Sequence, residues 1–272
     1  LRTSRDSRTL LFPVLVQASS DPALVKPISR RLATRPLQWW IDFSRDLIDQ
    51  APNPVRAAAI LNPVLNPRDP EERELIGRLI GRLASSGAYD LAWRTYADAT
   101  RRAGGVVSDA LVRDGDFESA ALYPPLDWQL VSEPDLYASR ASRPDRTDDD
   151  VLEVTAMNGR SGEAARQLLR LPAGRYRLQF EVGEKPGDWD GNIEVVVVCT
   201  SPARQLIAVP GYVDDRQQGR RGGAFDIVSG CATQWLSIRA TSDGPPPSSA
   251  PWIDKINIRA AAGGDRSNQM QR

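Results

Sequence analysis

Apolar residues recur every three to four positions through the first hundred or so residues of this chain, and from Val151 they alternate. The first pattern predicts helices and the second predicts strands. Leu37 to Gln50 carries Trp40, Ile41, Leu47 and Ile48 on one side. Asn53-Pro54 opens a second helix that runs to Leu65, with Pro63 disturbing its end. Asp69-Pro70 opens a third, and Leu75, Ile76, Leu79, Ile80 and Leu83 form its stripe. Gly87 stops it, and Ala88 to Arg102 starts another. Asp21-Pro22 is a further start signal of the same kind.

The alternating part predicts strands. Ala165–Leu171, Pro172-Ala173-Gly174 and the alternation of Tyr176, Leu178, Phe180 and Val182 read as a strand, a tight turn and a second strand. Val151–Val154, Ile193–Cys199, Phe225–Val228 and Trp235–Arg239 are further strands. Leu111–Glu118 and Trp252–Ile258 read as the first and last strands of one sandwich. The expected fold is multidomain α and β: an α-helical hairpin array over 1–105, an antiparallel β-sandwich of jelly-roll type over 106–261, and a flexible tail over 262–272.

Composition narrows the chemistry. The chain has 272 residues, 41% hydrophobic and 26% charged, with zero net charge. The front carries +5 and the rest −5, too mild a split for a nucleic-acid footprint. No histidine is present, which removes His-based general bases and His-ligated metals. Two cysteines are too few for a Cys-only zinc or iron–sulfur site. No run of about 18 apolar residues spans a membrane. The chain begins at Leu1, so a signal or anchor upstream of it is compatible with this sequence.

Two resemblances sharpen the expectation. Ala88-Tyr89-Asp90-Leu91-Ala92, after a Leu-rich helix and a glycine, resembles the second helix of a tetratricopeptide-type hairpin. Four markers over residues 108–260 are similar to carbohydrate-binding jelly rolls with a galactose-binding-like fold. They are Leu111 to Glu118, Tyr123-Pro124-Pro125-Leu126-Asp127-Trp128, Leu171 to Phe180 as a hairpin, and Ile253-Asp254-Lys255-Ile256. The combination resembles exported proteins of exopolysaccharide systems in sphingomonad-type bacteria. The resemblance implies a structural Ca²⁺ held by Asp116, Glu118 and Asp254, although Lys255 stands where a second acid is usual.

Residues for binding follow from this. Trp189, in the polar run Pro186 to Gly191 with Asp188 and Asp190, and Tyr212 are the candidate sugar platforms. Trp128, Trp235 and Trp252 lie in strand-like runs and read as core. Arg216 to Arg221 reads as a basic flexible loop. Cys199 and Cys231 end and precede strands; paired, they would pin the sandwich and imply an oxidising compartment. No carboxylate pair stands out for catalysis. The expected protein is therefore a non-catalytic accessory protein of the periplasm, cell envelope or exterior. Its jelly roll would bind polysaccharide or glycan, and its helical front a protein. The alternative is a protein–protein scaffold or peripheral envelope subunit without a sugar site. Burial of both Trp189 and Tyr212 would favour the scaffold.

Overall fold

The computed structural model describes residues 5–34, 39–213 and 218–261, with side chains from Leu10 onward. The tail over 262–272 lies outside the described residues. Among those described, six helices precede two antiparallel sheets that form a β-sandwich. The chain divides into two compact units. One comprises Leu1–Ser108 with Leu122–Leu126, and the other Asp109–Ala121 with Asp127–Arg272.

The helical unit contains α1 (Arg5–Ala18), α2 (Pro22–Ala33), α3 (Trp40–Gln50), α4 (Pro54–Leu61), α5 (Pro70–Ser85) and α6 (Tyr89–Ala103). Its start signals work as the sequence implies. The carboxylate of Asp21 accepts from Ala23 N at 2.8 Å, Asn53 Oδ1 from Val55 N at 3.0 Å, and Asp69 Oδ1 from Glu72 N at 3.0 Å. Leu75, Ile76, Leu79, Ile80 and Leu83 of α5 are all buried. Helix α1 has no start signal of this kind and contains Pro13. It buries Phe12 and Val16, and the Phe12 ring lies 5.6 Å from Phe43. Leu122–Leu126 completes this unit: Tyr123 is buried, with its ring 5.8 Å from Tyr96. A Cβ on Gly77 of α5 would stand 3.2 Å from Leu122 O, so the absent side chain permits the close approach.

The second unit holds β1 (Gln129–Leu130), β2 (Ser132–Glu133), β3 (Leu136–Arg143), β4 (Arg146–Ala156), β5 (Arg160–Leu169), β6 (Gly174–Val182), β7 (Asn192–Thr200), β8 (Ala203–Pro210), β9 (Gly219–Ile227), β10 (Gln234–Ser242) and β11 (Trp252–Ala260). One sheet has the order β1-β5-β10-β7-β8, the other β2-β3-β4-β11-β6-β9. Alternation places Tyr176, Leu178, Phe180 and Val182 inward, against Val195, Val197, Leu236 and Ile238 of the facing sheet.

Three expectations are corrected here. Strands β5 and β6 are not a hairpin; each pairs in a different sheet, so Pro172–Gly174 carries the chain across the core. Residues 219–223, read as part of a basic loop, belong to β9, where they pair with β6. Arg216 lies outside the described residues.

Leu111–Glu118 is not a strand but a strap of bends. Asp114 and Phe117 adopt positive φ, 48° and 59°, which breaks any extended ladder. The strap binds both sheets. Arg113 N donates to Gln167 Oε1 at 2.9 Å, and Gln167 Nε2 returns a bond to Arg113 O at 2.9 Å. On the other side, Ile256 N donates to Gly115 O at 2.8 Å. That bond is available because β11 bulges at Lys255, whose φ is 51°. Buried Trp128 donates from Nε1 to Asp114 O at 2.9 Å, and Phe117 fills the core beneath at 5.4 Å between rings.

Candidate binding recess

Trp189 and Tyr212 do not form a sugar platform. They are only 3% and 5% exposed, packed edge to face at 6.2 Å within the core. Trp189 Nε1 donates to Ala156 O at 3.1 Å, and burial pushes the Tyr212 phenol up from its ordinary pKa. The polar neighbours of Trp189 hold its loop down over the ring. Asp188 accepts from Ser248 N at 2.8 Å; Asp190 accepts from Ser242 Oγ at 2.7 Å and Gly244 N at 3.1 Å. These bonds hold both carboxyls below the usual aspartate range, Asp188 through Ser248 and Asp190 through Ser242 first.

The other tryptophans separate. Trp128 is core, whereas Trp235 and Trp252 are only partly buried. Each already carries a guanidinium over its ring, Arg166 at 4.7 Å and Arg143 at 4.5 Å. A sugar stacking on those faces would displace an arginine.

The acids named for calcium do separate work. Among the described residues no group of three or more His, Cys, Asp or Glu is placed to hold a metal ion. Glu118 accepts from Asp150 N at 2.8 Å, and Asp116 is exposed on the strap. Asp254 is fully buried, with Lys255 Nζ at 3.4 Å and Arg143 at 3.8 Å from its Oδ2. These two side-chain cations are the positive charges beside that carboxylate.

The cysteines meet as read. Cys199 at the end of β7 and Cys231 before β10 form a disulfide, and their strands are neighbours in register.

A recess of about 520 Å³ opens between the strap and the outer face of the six-stranded sheet. Asp114, Gly115 and Asp116 line it on the strap side; Gln179, Glu181, Arg220, Lys255, Asn257 and Arg259 line it on the strands. The register orders the outward side chains into rows across β11, β6 and β9. Asp254, Glu181 and Arg220 form one row; Asn257, Gln179 and Gly222 the next; Arg259, Arg177 and Ala224 the third.

In the first row Glu181 is fully bonded, while Asp254 Oδ2 is buried without a hydrogen-bond partner. Glu181 accepts from Lys255 Nζ at 2.9 Å and Arg220 Nε at 3.0 Å. The bond from Lys255 chiefly holds the Glu181 carboxyl below its ordinary pKa, and the same bond raises Lys255. Burial raises Asp254. Glu181 therefore contributes stability that is present above the usual glutamate range and lost as pH falls through its depressed value. Lys255 contributes stability below the usual lysine range that is lost as pH rises through its raised value. Asp254 runs opposite to Glu181: its folded pKa is raised, so acidification relieves it. Removing Glu181 as Glu181→Gln should therefore flatten the acid limb of the melting-temperature profile between about pH 6 and 2. Parallel acid limbs for the two proteins would contradict this assignment.

The second row is unspent. The Gln179 side chain makes no hydrogen bond among the described residues, and Asn257 Oδ1 is buried without a partner, while its Nδ2 donates to Lys255 O at 3.1 Å. In the sequence Arg175, Arg177, Gln179 and Glu181 are simply the polar positions of one alternating strand. The register with β11 that turns it into a site wall links residues far apart in the chain.

Two of the recess carboxylates are held by fixed partners, and the third, Asp116, is exposed. Asp114 accepts from Ser119 N at 2.8 Å and from Arg140 at 2.5 Å, which occupies both its oxygens. Glu181 is likewise occupied at both oxygens.

No family model matches the sequence, and no curated protein is similar to it. Solved structures do resemble part of the chain. TmCBM61 in complex with beta-1,4-galactotriose is 15% identical with a TM-score of 0.38, over 57% of this chain and 100% of that one. The CBM22-1 xylan-binding domain from Paenibacillus barcinonensis Xyn10C is 12% identical with a TM-score of 0.32, over 50% of this chain and 87% of its own. A cyclase from Fischerella sp. in complex with 4-(1H-Indol-3-yl)butan-2-one is 12% identical with a TM-score of 0.39, over 57% and 98%. The neighbours thus include carbohydrate-binding modules and a cyclase, and the ligand of this chain has to be read from its own side chains.

Proposed function

We propose that the protein is a non-catalytic accessory protein whose sandwich binds a glycan in the recess beside the strap. The observation that carries this reading is the in-register amide pair, Gln179 and Asn257, with hydrogen-bonding capacity unspent inside a recess of about 520 Å³. Planar amides held on neighbouring strands suit paired hydroxyls, and the Gln179 side chain lines the recess without a hydrogen bond among the described residues. The disulfide supports an oxidising location, in the envelope or outside the cell. No described helix is long and apolar enough to cross a membrane.

Affinity electrophoresis and calorimetry against a panel of neutral and acidic polysaccharides test the reading. Gln179→Ala should weaken binding about tenfold, the equivalent of one good hydrogen bond. Unchanged affinity in that variant would remove the amide pair from the site.

A second reading, a protein-binding scaffold, has its own support. Helix α1 leaves Leu10 and Val14 exposed at 74% and 64%, with Leu11 and Leu15 beside them. Such an apolar stripe suits a protein partner of the helical unit. The burial of Trp189 and Tyr212 also favours it, because it removes the aromatic platform. Absence of retention on every polysaccharide would leave the scaffold as the function.

A further inference from the structure

We infer that the ligand of the recess is an acidic glycan, its carboxylate or sulfate oxygens held by Arg177 and Arg259. This rests on the glycan reading above and adds the charge of the ligand to it.

The inference starts from a pairing that costs the fold stability. Arg259 of β11 stands directly opposite Arg177 of β6, and both are exposed. Like charges in register on one sheet face repel. Three other cations of β6, β9 and β11 stand beside acids. Arg175 faces Asp226 in register, and Lys255 and Arg220 share Glu181. On the other flank of Arg177 stands Ala224, not an acid. Among the described residues neither Arg177 nor Arg259 forms an ion pair.

The surroundings leave room for an anion. Ala224 presents only a methyl group on β9 beside Arg177. Two guanidinium forks from adjacent strands can grip a planar carboxylate or a sulfate with parallel N–H bonds. The amide row lies two residues along the strands from the arginine row, roughly 7 Å. That is about the span between the acid group of a sugar ring and a hydroxyl on its far side. One acidic residue of a glycan would thus meet arginines at one end and amides at the other. An anion between the guanidinia would also relieve the repulsion between them.

The test uses the full chain and four polymers: a polyuronate, the same polymer fully methyl-esterified, a sulfated glycan, and single-stranded DNA. The parent protein should bind the polyuronate or the sulfated glycan at least tenfold more tightly than the esterified polymer, with affinity falling as salt rises. Preference between those two identifies which oxyanion is read. The Arg177→Gln/Arg259→Gln variant should lose about a hundredfold on the acidic polymer, with little change on the esterified one. Its melting temperature should equal or exceed that of the parent, because the repulsion is gone; a lower value would give the arginines a structural role and overturn the proposal. Equal binding of the esterified and acidic polymers would also overturn it while leaving the glycan reading intact. Comparable binding of DNA would reduce the site to a general polyanion surface. If the parent binds none of the glycans, the glycan reading itself falls.

Discussion

Replacing Cys199 and Cys231 together with alanine is expected to cost the sandwich about 3–4 kcal/mol. The bridge spans 32 residues, and that separation sets the unfolded-state entropy the cross-link removes. For a unit of this size the loss corresponds to a fall of roughly 10 °C in melting temperature. The native ends of β7 and β10 should survive, because the bridge is not their only fastening. Gln234 Nε2 donates to Cys231 O at 2.6 Å, Leu171 N donates to Gln234 Oε1 at 2.9 Å, and Thr200 N bonds Thr233 O at 3.0 Å. Denaturant titration of the double variant should coincide with that of the parent in reductant. A change under about 1 kcal/mol in both would show that the unfolded chain is little constrained by this bridge.

Gly115→Ala should be comparably damaging, at about 3 kcal/mol, and for a different reason. A Cβ there would lie 1.9 Å from Ile256 O and 3.0 Å from its carbonyl carbon. Both are backbone atoms of a bulged strand, so no side chain can swing aside. Relief requires breaking the bond from Ile256 N to Gly115 O, and with it the seat of the strap against β11. Gly187→Ala is the control: its added Cβ meets nothing within 4 Å, and its stability should be nearly unchanged. Equal melting temperatures for the two variants would mean that the strap is loosely held. Because Gly115 lines the recess, binding should fall along with stability.

Much of the framework was legible in the residues. The proline N-termini and apolar stripe of α4 and α5, the alternation of β6 and the β-branched run of β7 each express a local period. Local period is what a sequence displays directly. The failures share another cause. Leu111–Glu118 has the composition of a strand, but Asp114 and Phe117 turn left-handed to meet partners far along the chain. Trp189 sits among acids and glycines and therefore read as exposed. Those acids bond Ser242, Gly244 and Ser248, which lets the ring sink beneath them. The recess was hidden for the same reason. Gln179 and Asn257, or Arg177 and Arg259, become neighbours only through the pairing of β6 with β11, which no local pattern records. The acidic run at 148–150 lies inside β4, where Arg143 reaches Asp149 at 3.2 Å.

The short stretch Leu122–Leu126 bears on how such a chain can be dissected or inherited. The polypeptide leaves the helical unit after Ser108, returns for these five residues, and leaves again. A fragment ending at Ser108 would lack Tyr123, and Tyr96 would keep Trp93 but lose its other aromatic neighbour. A fragment starting at Asp109 would carry an orphaned piece of another unit within its first twenty residues. No single crossover point in the gene delivers both units whole. Shuffling of either as a free module would therefore need two joints or a redesigned loop.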